Sequence, residues 1–259
     1  MIDAVVTAGG IPLEDDPLYP YTQGAAKALL DVCGKPMIQW VLDALSEAET
    51  VGFVVVIGLD AEADVRCEKI KAFLPNQGSM LENVRAGISK VLEINPDAHH
   101  ALIVSSDIPT ITAEMVDWAV NTTMQTDEDL YYNVISRQVM EARFPNSKRS
   151  YTRLKDVEVC GGDMNVVRTL TVTQNDELWR RIIAARKNVL KQAALLGYDT
   201  LFLLFFRLVT LDQAVKKVTR RINMTGKAIL CPYAEVGMDV DKPHQLELVR
   251  EYLARREGC

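Results

Sequence analysis

The stretch Ala4-Val5-Val6-Thr7-Ala8-Gly9-Gly10 decides how the rest of the chain is read. Its first four residues read as a buried strand, apolar without the alternation of a half-exposed one. Two glycines directly after a strand allow a tight turn and let backbone N–H groups approach phosphate oxygens. In an open parallel sheet, the carboxyl ends of strands are where ligands sit. Taken alone, the same residues read equally as a plain strand-to-loop turn. No GxxxxGKS/T or GxGxxG follows, so the stretch is neither a Walker loop nor a dinucleotide fingerprint.

Outward from this strand the pattern repeats. Phe53-Val54-Val55-Val56-Ile57 and Ala101-Leu102-Ile103-Val104 read as two more buried strands. Between the first two, residues 37–47 predict a helix with Pro36 near its first turn and Met37, Ile38, Val41, Leu42 and Leu45 on one face. A second helix starts at Ser79, where Ser79 and Glu82 have capping-box spacing and Leu81, Val84, Ile88 and Val91 recur at helical period. Thr112 can cap a third, with Met115, Val116 and Val120 facing inward. This β-α-β-α-β-α order predicts an α/β, Rossmann-like fold: a mainly parallel sheet flanked by helices on both faces.

After about residue 129 the chain changes character. Residues 130–136, 150–154, 157–160 and 164–168 read as shorter, more polar strands. Residues 175–196 are strongly helical in pattern and stop at Gly197, and Thr210 and Gln213 form a capping box ahead of a helix to about Ile222. A strand over 228–231 and a helix over 243–255 close the chain. The sequence shows no repeat, low-complexity tract or linker. It therefore reads as one domain over 1–259, with a first half at about 1–124 and a second half at about 125–259 carrying a helical insertion at 175–222.

Composition narrows the class. The 259 residues are 48% hydrophobic and 25% charged, with a net charge of −6, which fits a globular chain and argues against general nucleic-acid binding. The five cysteines pair nowhere as CxxC, so neither a disulfide framework nor a zinc site is expected, and reduced thiols in the cytoplasm are. The N-terminus lacks the basic region of a secretory signal, and the longest apolar run, 201–206, is far too short to span a bilayer. That run suits insertion core, a homodimer contact or a cover for an apolar acceptor. Arg180, Arg181, Arg186, Lys187 and Lys191 line one helix of the insertion, and Lys216, Lys217, Arg220 and Arg221 another. Such faces either bind an anionic acceptor or are simply solvated.

Several further segments carry candidate chemistry. Lys27-Ala28-Leu29-Leu30 and Gly34-Lys35-Pro36-Met37 follow the glycine turn. Ser105-Ser106-Asp107-Ile108-Pro109 sets a carboxylate at a strand's end, where it suits a first Mg²⁺ ligand or a turn before a helix. Gly237-Met238-Asp239-Val240-Asp241-Lys242-Pro243 leads into the last helix, and Asp241 stands where an N-cap belongs. Cys160-Gly161-Gly162-Asp163-Met164-Asn165 reads as a bulge or hairpin turn, or as backbone open to a ligand.

Ala-Gly-Gly after a strand, then Lys-Ala-Leu-Leu and Gly-Lys-Pro-Met, resembles the MobA-like and sugar-phosphate nucleotidyltransferases of glycosyltransferase-A-like fold. The resemblance covers most of 1–124 and about 226–255. It implies NMP transfer from an NTP to a phosphate-bearing small-molecule acceptor, with release of pyrophosphate and Mg²⁺ as cofactor. It places Lys27 and Asp107 in catalysis. Ala8, Gly9, Gly10, Lys27, Gly78, Ser79 and Asn83 fall on the nucleotide and Gly161 and Gly162 on the acceptor. Asp107 and Asp241 fall on the metal, with Asp239 as the alternative. One feature departs from the family: it usually carries an arginine in Gly-Gly-x-Gly-x-Arg, whereas Gly10 here is followed by Ile11-Pro12-Leu13-Glu14-Asp15-Asp16 and no arginine precedes Lys27. A non-catalytic nucleotide or sugar-nucleotide binder, or a glycosyltransferase of the same fold, are the other readings. The latter would need Asp-x-Asp where Ser105-Ser106-Asp107 stands.

Overall fold

A computed structural model describes residues 1–174 and 206–258. β1 (Ile2–Thr7) lies in the middle of the sheet because both of its faces are apolar. Ala4 and Val6 enter one core cluster and Val5 the other. A hairpin of β2 (Asp31–Val32) and β3 (Lys35–Pro36) turns through Cys33 at φ 54° and Gly34 at φ 81°. Left-handed backbone at both positions is what a two-residue hairpin turn demands. β4 (Val51–Ile57) and β6 (His100–Ser105) flank β1, both parallel to it, and β5 (Ile70–Leu74) pairs parallel with β4 at the edge.

Beyond β6 the direction reverses. β7 (Leu130–Ser136), β8 (Thr152–Arg153), β9 (Glu158–Gly161) and β10 (Met164–Arg168) complete the order β5-β4-β1-β6-β10-β7-β9-β8. β10 is antiparallel to both β6 and β7, and β11 (Gly226–Leu230) pairs parallel with β7. The sheet is thus mixed, parallel through its N-terminal half.

Helices cover both faces. A short α1 (Tyr19–Thr22) lies in the loop after β1. α2 (Met37–Glu47) and α4 (Ala113–Thr123) pack their apolar faces on the Ala4 and Val6 side, and α3 (Met80–Ile94) packs on the Val5 side. Two short helices follow, α5 (Arg137–Arg143) and α6 (Thr169–Gln174). α7 (Leu211–Arg221) starts on the complete Thr210–Gln213 capping box, and α8 (Pro243–Glu257) ends on Gly258 at φ 76°. The readings placed on the 175–196 helix, Gly197, Arg180, Arg181, Arg186, Lys187, Lys191 and 201–205 lie outside the described residues. No described helix is long and apolar enough to cross a membrane.

Some local expectations change. Thr112 occupies the N-cap of α4 but makes no side-chain cap bond. The N-cap of α8 is Lys242, so Asp241 lies one residue outside the helix and its carboxylate is not spent on capping. β5 and α5 carry no strong periodicity and were not legible: Ile-Lys-Ala-Phe-Leu is half-exposed at an edge, and α5 is only two turns long.

The close approach of α3 to β1 depends on Gly87, where a Cβ would fall 2.3 Å from Val5 Cγ1. Val5 is fully buried in the central strand and cannot yield. Gly87→Ala is therefore expected to destabilise the fold by about 1–3 kcal/mol, read as a lower urea midpoint at unchanged slope.

Candidate active site

The carboxyl ends of β1 and β6 open into a cleft of ≈ 400 Å³. Its rear wall is backbone. Gly58, just past β4, has φ 101°, and a Cβ there would sit 2.3 Å from Gly9 Cα, so the exits of β1 and β4 touch main chain to main chain. Asn76 donates Nδ2 to the Gly9 carbonyl at 2.8 Å and accepts at Oδ1 from Gly78 N–H and from Asn83 Nδ2. Asn83 Oδ1 in turn accepts from Gln77 N–H at 2.7 Å. This amide pair ties the glycine turn to the N-terminal end of α3, where the helix dipole favours an anion. Gly78, Ser79 and Met80 line the cleft there.

These bonds occupy several of the polar groups expected at the nucleotide. Asn83 lines the cleft, but its amide is engaged in holding the turn, which makes it a positioning group. The Ser79 hydroxyl accepts from Glu82 N–H and donates to Glu82 Oε2, so half of the capping box forms and the hydroxyl is committed to the helix end. Gly9 and Gly10 line the cleft, whereas Ala8 is buried behind them.

The front wall is ionic. The Lys27 backbone N–H donates to the Gly10 carbonyl at 2.9 Å, which brings the chain back over the glycine turn. Lys27 Nζ then sits 2.6 Å from Asp107 Oδ2 and 2.8 Å from Asp241 Oδ1. Burial alone would depress this ammonium, but the Asp107 and Asp241 carboxylates outweigh it and hold its pKa above the ordinary value. Asp107 Oδ1 also accepts from Ser105 Oγ at 2.5 Å, and its backbone carbonyl accepts from Val240 N–H at 3.0 Å. That last bond fastens the 237–241 segment to the end of β6. Met238 and Val240 are fully buried there, and Asp239 and Asp241 line the cleft.

A second pair sits beside the first. Asp239 is ion-paired with Arg149, and both side chains are mostly buried. Arg149 Nη2 lies 4.0 Å from Asp163 Oδ2 and donates to the Gly161 carbonyl at 3.5 Å. Asp163 lines the cleft, and burial together with the Asp107 charge pushes its carboxyl up to about 7. Gly161 and Gly162, expected at the acceptor, do not line the cleft. Tyr132 fills the space a Gly161 side chain would take, and the Asn133 carbonyl, Ile135 and Val236 crowd Gly162. They let the backbone pass close packing and deliver Asp163.

Sequence reasoning passed over Asn76, Met80, Arg149 and Asp163. Asp163 stood inside the Gly161-Gly162-Asp163 segment, where the glycines drew the reading. Arg149 carried no signal, because its partners are distant in sequence.

Comparison with known proteins places the fold and the family. A solved structure of a hypothetical transferase from Thermus thermophilus is 30% identical, covers 95% of this chain and 99% of its own, and superposes with a TM-score of 0.81. A CMP:2-keto-3-deoxy-manno-octonic acid synthetase complexed with CTP is 17% identical, covers 99% and 100%, and gives a TM-score of 0.62, a likeness of fold. The 2-C-methyl-D-erythritol 4-phosphate cytidylyltransferase of Thermus thermophilus shares the fold at 14% identity over 98% and 100%, with a TM-score of 0.53. The bifunctional protein GlmU of Thermoanaerobacter pseudethanolicus is 32% identical over 95 residues, 37% of this chain, and the match spans only 21% of that relative's length. Fold and family match define the class, an α/β nucleotidyltransferase. Residues 21–199 match the MobA-like NTP transferase domain, and the chain belongs to that family.

Asp163 gives a pH-dependent prediction. A carboxyl at about 7 in the folded protein binds its proton more tightly than in the unfolded chain, where the value is 3.8. The folded state then holds the extra proton between those values, so this group's contribution to stability falls as pH rises through that window. Asp163→Asn removes the dependence. Its stability relative to wild type, from urea titrations without metal at about pH 4.5 and about pH 8, is expected to be greater at the higher pH. A difference that does not change with pH would show that Asp163 ionises as an ordinary carboxyl.

Proposed function

We propose that the protein transfers a nucleoside monophosphate from an NTP to a phosphate-bearing small-molecule acceptor, releasing pyrophosphate, with Mg²⁺ as cofactor and in the cytoplasm. The observation that carries this reading is Lys27 Nζ set between Asp107 and Asp241 at the mouth of the glycine turn. An acceptor phosphate oxygen forms the new bond to the α-phosphorus as the α–β bridging P–O bond breaks and pyrophosphate leaves. A phosphate acceptor is already ionised, so no protein nucleophile or strong base is required. The chain's work is positioning and charge stabilisation. Backbone N–H groups at Gly9 and Gly10 and the Lys27 ammonium take the triphosphate, the end of α3 borders the nucleotide, and the Asp163 side of the cleft receives the acceptor.

The donor set suits magnesium. Asp107 and Asp241 are hard oxygen donors, and the Lys27 ammonium already shows that one cation reaches both. Mg²⁺ commonly takes one or two carboxylates and fills its shell with phosphates and water. The chemistry such an ion supplies when bound is charge neutralisation at the α-phosphate and the leaving pyrophosphate. Charge balance adds support. Arg149 takes Asp239 and lies 4.0 Å from Asp163, which leaves Asp107 and Asp241 to the single Lys27 ammonium. A triphosphate that competes for that ammonium is best accompanied by a cation of its own.

A thermal-shift panel of the four NTPs with Mg²⁺ tests the nucleotide half, because a bound ligand raises the melting temperature. Pyrophosphate release with a panel of phosphorylated acceptors tests the chemistry. Failure of every NTP to shift the melt would overturn the reading. Asp107→Asn is expected to cut turnover by about 10²-fold or more. Asp241→Ala should do likewise while lowering stability by only about 0.5–1 kcal/mol, because its carboxylate is half-exposed and caps no helix, and Lys27 keeps Asp107 as a partner.

A further inference from the structure

The position of Lys27 carries a consequence for how nucleotide and metal bind, one that rests on the nucleotidyl-transfer reading. Its ammonium lies 2.6 Å from Asp107 Oδ2 and 2.8 Å from Asp241 Oδ1, with the Lys27 and Asp107 side chains mostly buried. These are the two carboxylates best placed for a divalent cation. Asp239 is withheld, since Arg149 takes it. Lys27 is also the cation in the described lining that a triphosphate would meet. One ammonium cannot neutralise the carboxylate pair and the phosphates together. The two demands are met only if they are met in turn.

We propose that the Lys27 ammonium is an internal counter-ion that occupies the Asp107–Asp241 cation site in the free protein, and that a bound triphosphate draws it away and opens that site to a divalent ion. Metal and nucleotide then bind cooperatively, because each favours the arrangement the other needs, and the coupling is reciprocal. Free metal binds weakly, since it competes with a tethered cation. Removing the ammonium has effects of opposite sign: the nucleotide loses a phosphate contact, while the metal gains a vacated carboxylate pair. A lysine that only binds phosphate would leave metal affinity unchanged on removal, and one that only stabilises the fold would weaken both.

Mn²⁺ serves as the probe, its free concentration read by electron paramagnetic resonance. Wild type, Lys27→Met and Lys27→Met/Asp241→Asn are titrated without nucleotide and with each of the four α,β-methylene NTPs in turn. Lys27→Met alone is expected to bind Mn²⁺ about tenfold tighter than wild type. Asp241→Asn in that background should return the affinity to the wild-type level. Because the analogue's phosphates also ligate Mn²⁺, both proteins should gain affinity when it is bound, and wild type should gain about tenfold more than Lys27→Met. If Lys27→Met does not fold, wild type still decides, because Mn²⁺ affinity that is equal with and without bound analogue overturns the exchange. Analogue binding together with Mn²⁺ affinity indifferent to residue 27 overturns the exchange and leaves the transferase reading standing. Failure of all four analogues to bind wild type in the presence of Mn²⁺ overturns both.

Discussion

Parallel pairing of β1 with β4 on one side and β6 on the other brings three carboxyl ends to one edge of the sheet, and each end delivers part of the cleft. β1 delivers Gly9 and Gly10, β4 delivers Gly58, and β6 delivers Ser105, Ser106 and Asp107. All three strands carry apolar residues buried on both faces, which holds them at the centre of the sheet. Gly58 approaches Gly9 main chain to main chain, with room for no side chain between them. The Asn76–Asn83 pair holds that approach in place from the α3 side.

Electrostatics at this edge is organised around scarcity of positive charge. Lys27 serves Asp107 and Asp241, and Arg149 serves Asp239 with Asp163 nearby. Mostly buried ion pairs cost desolvation that their attraction only partly offsets, so such pairs are poor devices for stability. In the proposed reaction the same groups have a use: carboxylates for a cation, and a lysine for phosphates. The loop after Gly10 is acidic at Glu14, Asp15 and Asp16 and adds no positive charge to the cleft.

The antiparallel second half of the sheet has a specific use. β10 runs against β6, so its start lies beside the end of β6, and Ser105 N–H donates to the Asp163 carbonyl at 2.9 Å. A strand parallel to β6 would have placed its beginning at the opposite edge. Arg149 reaches the same place by a different route. It comes from a loop with left-handed backbone at Asn146 (φ 66°) and Lys148 (φ 54°), a conformation a lysine adopts only when its surroundings impose it.

The sequence by itself determined the strands β1, β4 and β6, the helices between them, the glycine turn, and the three charged residues Lys27, Asp107 and Asp241. Each of these is written locally, as a run of apolar residues, a helical period, or a motif at a strand's end. It left open whether Asp241 caps a helix or faces the cleft, and whether Asp239 competes with it. Tertiary structure decided both. Lys242 takes the cap, Lys27 takes Asp241 from 214 residues away in the chain, and Arg149 removes Asp239. Asp163, Asn76 and Arg149 became visible only in space. A carboxylate, an amide or a guanidinium acquires its role from the charges and backbone groups around it. Those neighbours are brought by β-sheet topology, which local sequence patterns do not encode.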